Sequence, residues 1–387
     1  DGTVALSAWS VTHDGRLLAY AVSEAGSDWL EWRVREVDSG QDRPDLVRWA
    51  KFSGAAWRKD GSGFYYARYP EPKGGEALKG VNLNHQVFFH RLGTPQSSDR
   101  LVFARPDQPE WGFSPEVTDD GRFLVVTAWK GTNPENAVFV QDLRKKGSRP
   151  VPFLERMDAA YEVVDNRGDT FLVRTDKDAP RGRLVAIRLG RPEPRDWKEI
   201  IPQGPGRDVL EQVTLVGGRL FALWLRDVKS AVEVFDLQGR RTGEVALPDV
   251  GSASGFHGRA DDRETFYLFT GFTAPPTIYR LDTAALSSTI FRKPSVDFDP
   301  AAFETEQVFF PSKDGTRIPM FLVHRKDLKP SGASPVFLTG YGGFRSPSTP
   351  GFNPTAVLWA ERGGVYAVPN LRGGGEVGEA WHLAGML

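Results

Sequence analysis

Over residues 1–290, short apolar runs of strand length alternate with pairs of turn-forming residues. Asp14-Gly15-Arg16 precedes an apolar run at 17–22, Asp60-Gly61 precedes Phe64-Tyr65-Tyr66, and Asp120-Gly121-Arg122 precedes a run at 123–126. Later copies are Arg167-Gly168 before Phe171-Leu172-Val173, Gly217-Gly218-Arg219 before 220–225, and Asp261-Asp262 before 266–269. Asp and Gly tolerate the left-handed backbone of a tight hairpin, while aromatic and β-branched residues suit the pleated surface that follows. Each unit therefore reads as an antiparallel sheet.

A second mark repeats in step with the first. Apolar stretches end before a turn at Val37, Leu92, Leu143, Leu189, Leu237 and Leu281. These anchors are about 44 to 55 residues apart, close to the length of one propeller blade. A four-stranded sheet of this size cannot bury both faces alone, whereas a series of such sheets buries them against neighbours. Unrelated hairpins in a sandwich would not keep so regular a spacing. A β-propeller with six visible blades is expected over residues 1–292.

The pattern changes after Arg292-Lys293-Pro294-Ser295. A hairpin is expected from Val308-Phe309-Phe310 through Asp314-Gly315 to 318–323, then a short apolar strand at 335–339. Next come a helix at 356–362, a strand at 365–368, a turn at Gly373-Gly374-Gly375 and a second helix at 376–386. Strands alternating with helices imply an α/β sheet, here a second domain at 305–387 behind a linker at 293–304.

Composition sets limits on function. The 387 residues exceed one ordinary domain, and 25 Phe and 11 Trp supply ample material for a packed interior. With 49 basic and 50 acidic side chains there is no charge excess to draw nucleic acid or an anionic membrane. The one dense basic run, Arg144-Lys145-Lys146, reads as a solvated turn. No apolar stretch approaches the roughly 20 residues needed to span a bilayer. The absence of Cys excludes disulfides and thiolate chemistry and fits a reducing, cytoplasmic compartment. The opening Asp1-Gly2-Thr3-Val4 resembles neither a start nor a signal peptide, so the chain is expected to begin in mid-protein.

The six histidines, His13, His85, His90, His257, His324 and His382, form no HExxH or comparable ligand pair, and no metal or cofactor is expected. No G-x-S-x-G nucleophile elbow occurs, and Gly251-Ser252-Ala253-Ser254-Gly255 has its serines in the wrong register for one. Gly373-Gly374-Gly375 lacks the spacing of a phosphate-binding fingerprint. More informative is Gly340-Tyr341-Gly342-Gly343-Phe344 at the end of an apolar strand, where glycines permit close approach and a Tyr hydroxyl can donate to a developing oxyanion. A packing tyrosine beside a tight turn is the competing reading.

Context extends that motif. The run 308–323, the loop 340–344, Asn370-Leu371-Arg372-Gly373-Gly374-Gly375-Glu376 and Ala380-Trp381-His382 closely resemble the prolyl oligopeptidase family of serine peptidases. Gly26-Ser27-Asp28-Trp29, Lys51-Phe52-Ser53 and Gly271-Phe272 extend the resemblance into the propeller, so it covers nearly the whole chain. It implies a seven-bladed propeller capping an α/β-hydrolase domain, a Ser, Asp and His triad, cleavage of short peptides on the carboxyl side of proline, and no cofactor. By similarity Tyr341 completes the oxyanion hole, Phe344 lies near the proline pocket and Phe52 lines a more distant subsite, with ordinary blade packing the competing reading for Phe52.

Two departures stand out. Trp129-Lys130-Gly131 places Trp129 where the family commonly has an Arg that holds a substrate carbonyl. Lys130 is then the candidate substitute, though an ammonium is a poorer directional donor than a guanidinium. The resemblance also places one blade before Asp1 and the whole triad beyond Leu387. The expectation is therefore six of seven blades, the first missing, followed by the N-terminal part of an α/β-hydrolase domain. Such a fragment should be inactive by itself. The parent is expected to be a monomeric prolyl endopeptidase acting on short proline-containing peptides. The alternatives are a related oligopeptidase of different specificity and a non-catalytic propeller that binds a partner. A dipeptidyl peptidase would be expected to carry paired glutamates, and no Glu-Glu occurs.

Overall fold

A computed structural model describes residues 2–72, 80–329 and 331–386. As far as Arg292 the described strands fall into groups of four, each an antiparallel sheet in which neighbours in sequence are neighbours in space. The third group, for example, runs Trp111–Val117, Phe123–Lys130, Asn136–Asp142 and Val151–Leu154. Val37, Leu92, Leu143 and Leu189 directly follow the third strands of the first four groups, whereas Leu237 comes two residues after Lys229–Phe235 and Leu281 lies inside Thr277–Asp282. The first two groups are joined into one eight-stranded sheet, because Ala50 of the first pairs with Arg68 of the second.

The repeated turn has a chemical cause. In the first group the Thr12 hydroxyl donates to Asp14 at 2.7 Å, Asp14 accepts from the Arg16 N–H at 3.1 Å, and Gly15 takes φ 74°. In the third group Thr118, Asp120, Arg122 and Gly121 repeat this, with 2.8 Å and 2.9 Å bonds and φ 71° at the glycine. An Asp that bonds the backbone two residues on, followed by a glycine in the left-handed region, closes the hairpin between the first and second strands.

Two compact units are distinguished. One comprises the chain through Val173 together with Ile187–Trp197; the other comprises Arg174–Ala186 and the chain from Lys198 onward. In the first unit Trp32, Phe64 and Tyr66 are buried in one core, and Tyr65, Phe113 and Phe139 in a second. Burying aromatics of this size contributes about 2–3 kcal/mol each, set against the entropy lost on ordering the chain.

The second unit holds the later groups and a different sheet. Its strands Phe303–Pro311, Arg317–Arg325, Val365–Pro369 and Val336–Leu338 lie side by side in that order. The first two form the expected hairpin, and the last two pair in parallel, joined by the helix Pro354–Glu361. This is the strand–helix–strand connection of an α/β sheet. Asn353 caps the helix, accepting from the Thr355 N–H at 2.9 Å, and Pro354 occupies the first turn where its missing N–H is harmless. Phe321, Val323, Ala356, Tyr366 and Val368 form the core beneath, closed by Phe272 and Val228 from the preceding groups.

The second helix is shorter than its sequence suggests, Glu379–Leu383 rather than 376–386. Glu376 turns its side chain inward, and Gly378, at φ 77°, bonds back to the Gly375 carbonyl at 3.0 Å. That turn uses the residues that would have nucleated the helix.

Candidate functional site

The loop Gly340-Tyr341-Gly342-Gly343-Phe344 leaves the strand Val336–Leu338 and lies against residues 370–376. Glycine on both sides allows this approach: a Cβ on Gly342 would lie 2.7 Å from the Arg372 carbonyl, and one on Gly373 would overlap the Gly342 carbonyl. Gly373 also sits at φ 99°, a conformation that side chains other than glycine resist. Further bonds fix the contact: Arg345 N–H to the Gly373 carbonyl at 3.1 Å, Gly373 N–H to the Trp381 carbonyl at 2.9 Å, and His382 Nδ1 to the Gly373 carbonyl at 2.8 Å. A carbonyl only accepts, so His382 carries its proton on Nδ1 here.

Tyr341 is 52% exposed and its ring and hydroxyl lie beside Gly343. Phe344 is 90% exposed at φ 53°, and Arg345 follows at φ 56°. Two successive non-glycine residues in the left-handed region are strained, and such strain concentrates where a loop presents side chains for binding. Nearby, Arg372 pairs with Asp314 and donates to the Ser312 hydroxyl at 3.2 Å. The backbone N–H of Thr316 and the Arg372 guanidinium hold the Asp314 carboxyl down to about 2.

The other candidates lie in the first unit. Phe52 is 49% exposed at φ 54°, its ring edge-on to Trp129 with centroids 6.2 Å apart. Trp129 lies over Gly112, where a Cβ would overlap the indole, and 6.4 Å from the His85 ring. Lys51 places its ammonium 5.1 Å from both the Phe52 and Trp29 rings, with Asp28 at 3.4 Å. Behind them His85 stacks on Tyr69 at 4.2 Å, accepting from the Phe113 N–H at 2.9 Å. Burial pushes the His85 imidazole down to about 4, against the opposing carbonyls of Lys51 and Ala67, so it is neutral at pH 7.

Successive side chains on a strand point to opposite faces, which separates Trp129 from Lys130. Lys130 instead pairs with Glu110 at 2.9 Å. Sequence reasoning missed Lys51, Trp29 and His85 as companions of Phe52, although two of them stand in the blocks Lys51-Phe52-Ser53 and Gly26-Ser27-Asp28-Trp29. Among the described residues no group of three or more His, Cys, Asp or Glu is placed to hold a metal ion, and no helix is long and apolar enough to cross a membrane.

Repeated four-stranded sheets followed by an α/β sheet with a glycine-rich loop after its parallel strand define a propeller joined to a hydrolase-type domain. The described family "Prolyl oligopeptidase, N-terminal beta-propeller domain" matches residues 1–294, and "Prolyl oligopeptidase family" matches 350–387. The chain belongs to the prolyl oligopeptidase family. It is 39% identical over 384 residues to the prolyl endopeptidase of Elizabethkingia meningoseptica, covering 99% of this chain and 54% of that protein. It is 35% identical over 411 residues to prolyl oligopeptidase A of Galerina marginata, covering all of this chain and 55% of the relative. The chain thus spans about half the length of the curated relatives it matches. Among solved structures, one from a mechanistic study of two prolyl endopeptidases superposes with a TM-score of 0.89 at 38% identity, covering 100% of this chain and 56% of that one. Prolyl oligopeptidase B of Galerina marginata, bound to a 25-residue macrocyclization substrate, gives 0.91 at 32% identity, covering 100% and 56%.

Proposed function

We propose that this chain forms the propeller, 1–292, and the beginning of the catalytic domain, 305–387, of a serine peptidase that cleaves short peptides on the carboxyl side of proline, with 293–304 as the linker. The observation that carries this reading is the Gly340–Phe344 loop, seated by glycine contacts on residues 370–376 in a chain of this family. Tyr341 then donates its hydroxyl hydrogen to the oxyanion formed when a serine attacks the scissile carbonyl, lowering the barrier where charge develops. Phe344 lies beside the substrate proline. On the propeller, Phe52 and Trp129 offer aromatic surface to the peptide, and Lys130 is the candidate polar contact. The reading requires a Ser, Asp and His triad, and this chain spans 54% of the length of the prolyl endopeptidase it matches. The propeller limits access to short peptides, and the whole protein is a cytoplasmic monomer that needs no cofactor.

The test is an assay of the full-length protein on short chromogenic peptides differing only in the residue before the leaving group. Cleavage after proline is expected. Cleavage after Arg or Lys but not after proline would overturn the specificity, and no cleavage of any peptide would leave a binding propeller as the better reading.

A further inference from the structure

Glu376 is a buried carboxylate with no part in the chemistry just described. Its residue is 1% exposed and lies at the end of the glycine run, folded back so that a Cβ on Gly374 would overlap its carboxylate. Oε1 accepts from the backbone N–H of Ser348 at 3.0 Å. The other backbone group of Ser348, its carbonyl, accepts from Nδ2 of Asn370 at 2.9 Å, and Asn370 is fully buried. Two buried side chains thus grip one residue of the Tyr341 loop as a neighbouring strand would. Ser348 in turn directs its hydroxyl to the Tyr341 carbonyl at 3.4 Å.

Burying a carboxylate opposes its charge, and its pKa is raised accordingly. A fold that needed only to fill this space would use an apolar side chain. The chain of contacts from Glu376 through Ser348 to Tyr341 supplies another reason for an acceptor there. The loop begins in an exposed Gly-Tyr-Gly-Gly segment, which has little of its own to hold it.

We propose that Glu376, with Asn370, is a positioning residue that fixes the Tyr341 hydroxyl for oxyanion stabilisation by tethering the backbone of Ser348. This rests on the oxyanion role proposed for Tyr341. The geometry requires an acceptor of glutamate length at position 376, and the charge itself is secondary. Displacing a catalytic donor by about 1 Å can lower a rate by roughly 100-fold, so loosening the tether acts on kcat more than on KM.

The test uses the full-length protein with three substitutions. Glu376→Met keeps the bulk and removes the acceptor, and Glu376→Asp keeps the charge but falls short of Ser348. Glu376→Gln retains an acceptor at the same reach. The Met and Asp variants are expected to lower kcat by about 10- to 100-fold with KM nearly unchanged, and to speed hydrogen exchange at the Ser348 amide. The Gln variant is expected to rescue at least half of kcat. Combining Glu376→Met with Tyr341→Phe should lower kcat no further than Tyr341→Phe alone. Unchanged Ser348 exchange in both Met and Asp variants overturns the tether whatever the activity, and faster exchange with wild-type kcat overturns positioning. If Tyr341→Phe itself leaves kcat intact, the oxyanion reading fails and this inference with it. Should the Met variant not fold, Asp and Gln carry the comparison.

Discussion

Nδ1 of His90 lies 2.8 Å from Oδ1 of Asp99, with the two side chains 0% and 1% exposed. Its other nitrogen, Nε2, lies 3.2 Å from Oδ1 of Asp45, which is equally buried. Each ring nitrogen thus faces a carboxylate oxygen, an arrangement that favours the imidazolium form of His90. Asp45 comes from the last strand of the first group and His90 from the third strand of the second, so this clamp joins two modules. Tyr66 donates to Asp99 at 2.7 Å, the Gly93 N–H donates to Asp45, and Arg43 lies 3.4 Å from Asp45, itself near Glu36. Burial works against the charge on His90, but the bonds and charges of Asp99 and Asp45 outweigh it and raise the pKa.

A histidine whose folded pKa is raised stabilises the fold fully below its unfolded pKa of about 6.5, and the contribution fades as pH climbs to the folded value. Urea unfolding should therefore show stability falling from about pH 6.5 upward. His90→Leu should cost about 3–5 kcal/mol at pH 6, because it strands two buried carboxylates, and should flatten that alkaline slope. An unaltered slope in the variant would assign the pH dependence to another group.

Gly112 and Trp129 provide a second test. A methyl group at position 112 has no room beneath the indole, so Gly112→Ala must push Trp129 off its seat beside Phe52. Overpacking of this kind costs roughly 1–3 kcal/mol. If Phe52 and Trp129 form a substrate surface, Gly112→Ala and Trp129→Ala should both raise KM several-fold while kcat changes little. The calorimetric midpoint, measured alongside, separates the packing effect from the binding effect.

The modules were legible because a repeat states its own period: the Asp-Gly turns at 14–15 and 120–121 impose the same local geometry, and the Leu or Val anchors recur at or near the end of each third strand. The α/β segment was legible from the alternation of strands and helices, which set a helix at 356–362 against the observed Pro354–Glu361; the cap at Asn353 and Pro354 starts it two residues earlier, which the alternation does not mark. The Asp45–His90–Asp99 clamp left no trace, because its members are far apart in sequence and a lone histidine among apolar residues has no pattern. The Ala50–Arg68 pairing was equally silent, as it depends on how two sheets meet. Tyr341 could be singled out by its glycines, whereas Glu376 stood at the end of the run 370–376 with no sign that its side chain turns inward.

Asp165 is a second, partly buried group of the first unit whose pKa is raised. Burial raises its pKa to about 6, Asp119 and Asp120 add repulsion, and the Asn166 and Asp119 N–H groups only partly offset this. The folded protein therefore holds a proton between about pH 4 and 6 that the unfolded chain has released. The stabilisation from the protonated form is complete below the unfolded pKa and is lost as pH rises through 6, leaving a charge disfavoured at neutrality. Asp165→Asn removes that charge and keeps an acceptor for the Asp119 N–H, now 3.3 Å away. A gain of about 1–2 kcal/mol at pH 8 that vanishes near pH 4 is expected from denaturant midpoints at the two pH values. A gain of equal size at both would point to a cause other than ionisation.

Tyr341→Phe tests the catalytic reading with the smallest possible change. The side chain is half exposed and its ring rests beside Gly343, so losing the hydroxyl leaves the packing of the loop intact. Removing one donor from an oxyanion hole typically lowers kcat by about 10- to 1,000-fold, because the bond is strongest when negative charge has formed on the substrate oxygen. Substrate binding uses the uncharged carbonyl and should suffer much less, so KM should stay within about threefold. A fall in kcat/KM driven by KM would instead give Tyr341 a binding role of the kind proposed for Phe344. That distinction is sharpened by a tetrahedral transition-state analogue, whose affinity should drop in parallel with kcat, whereas a neutral proline-containing product should bind Tyr341→Phe as it binds the unaltered protein.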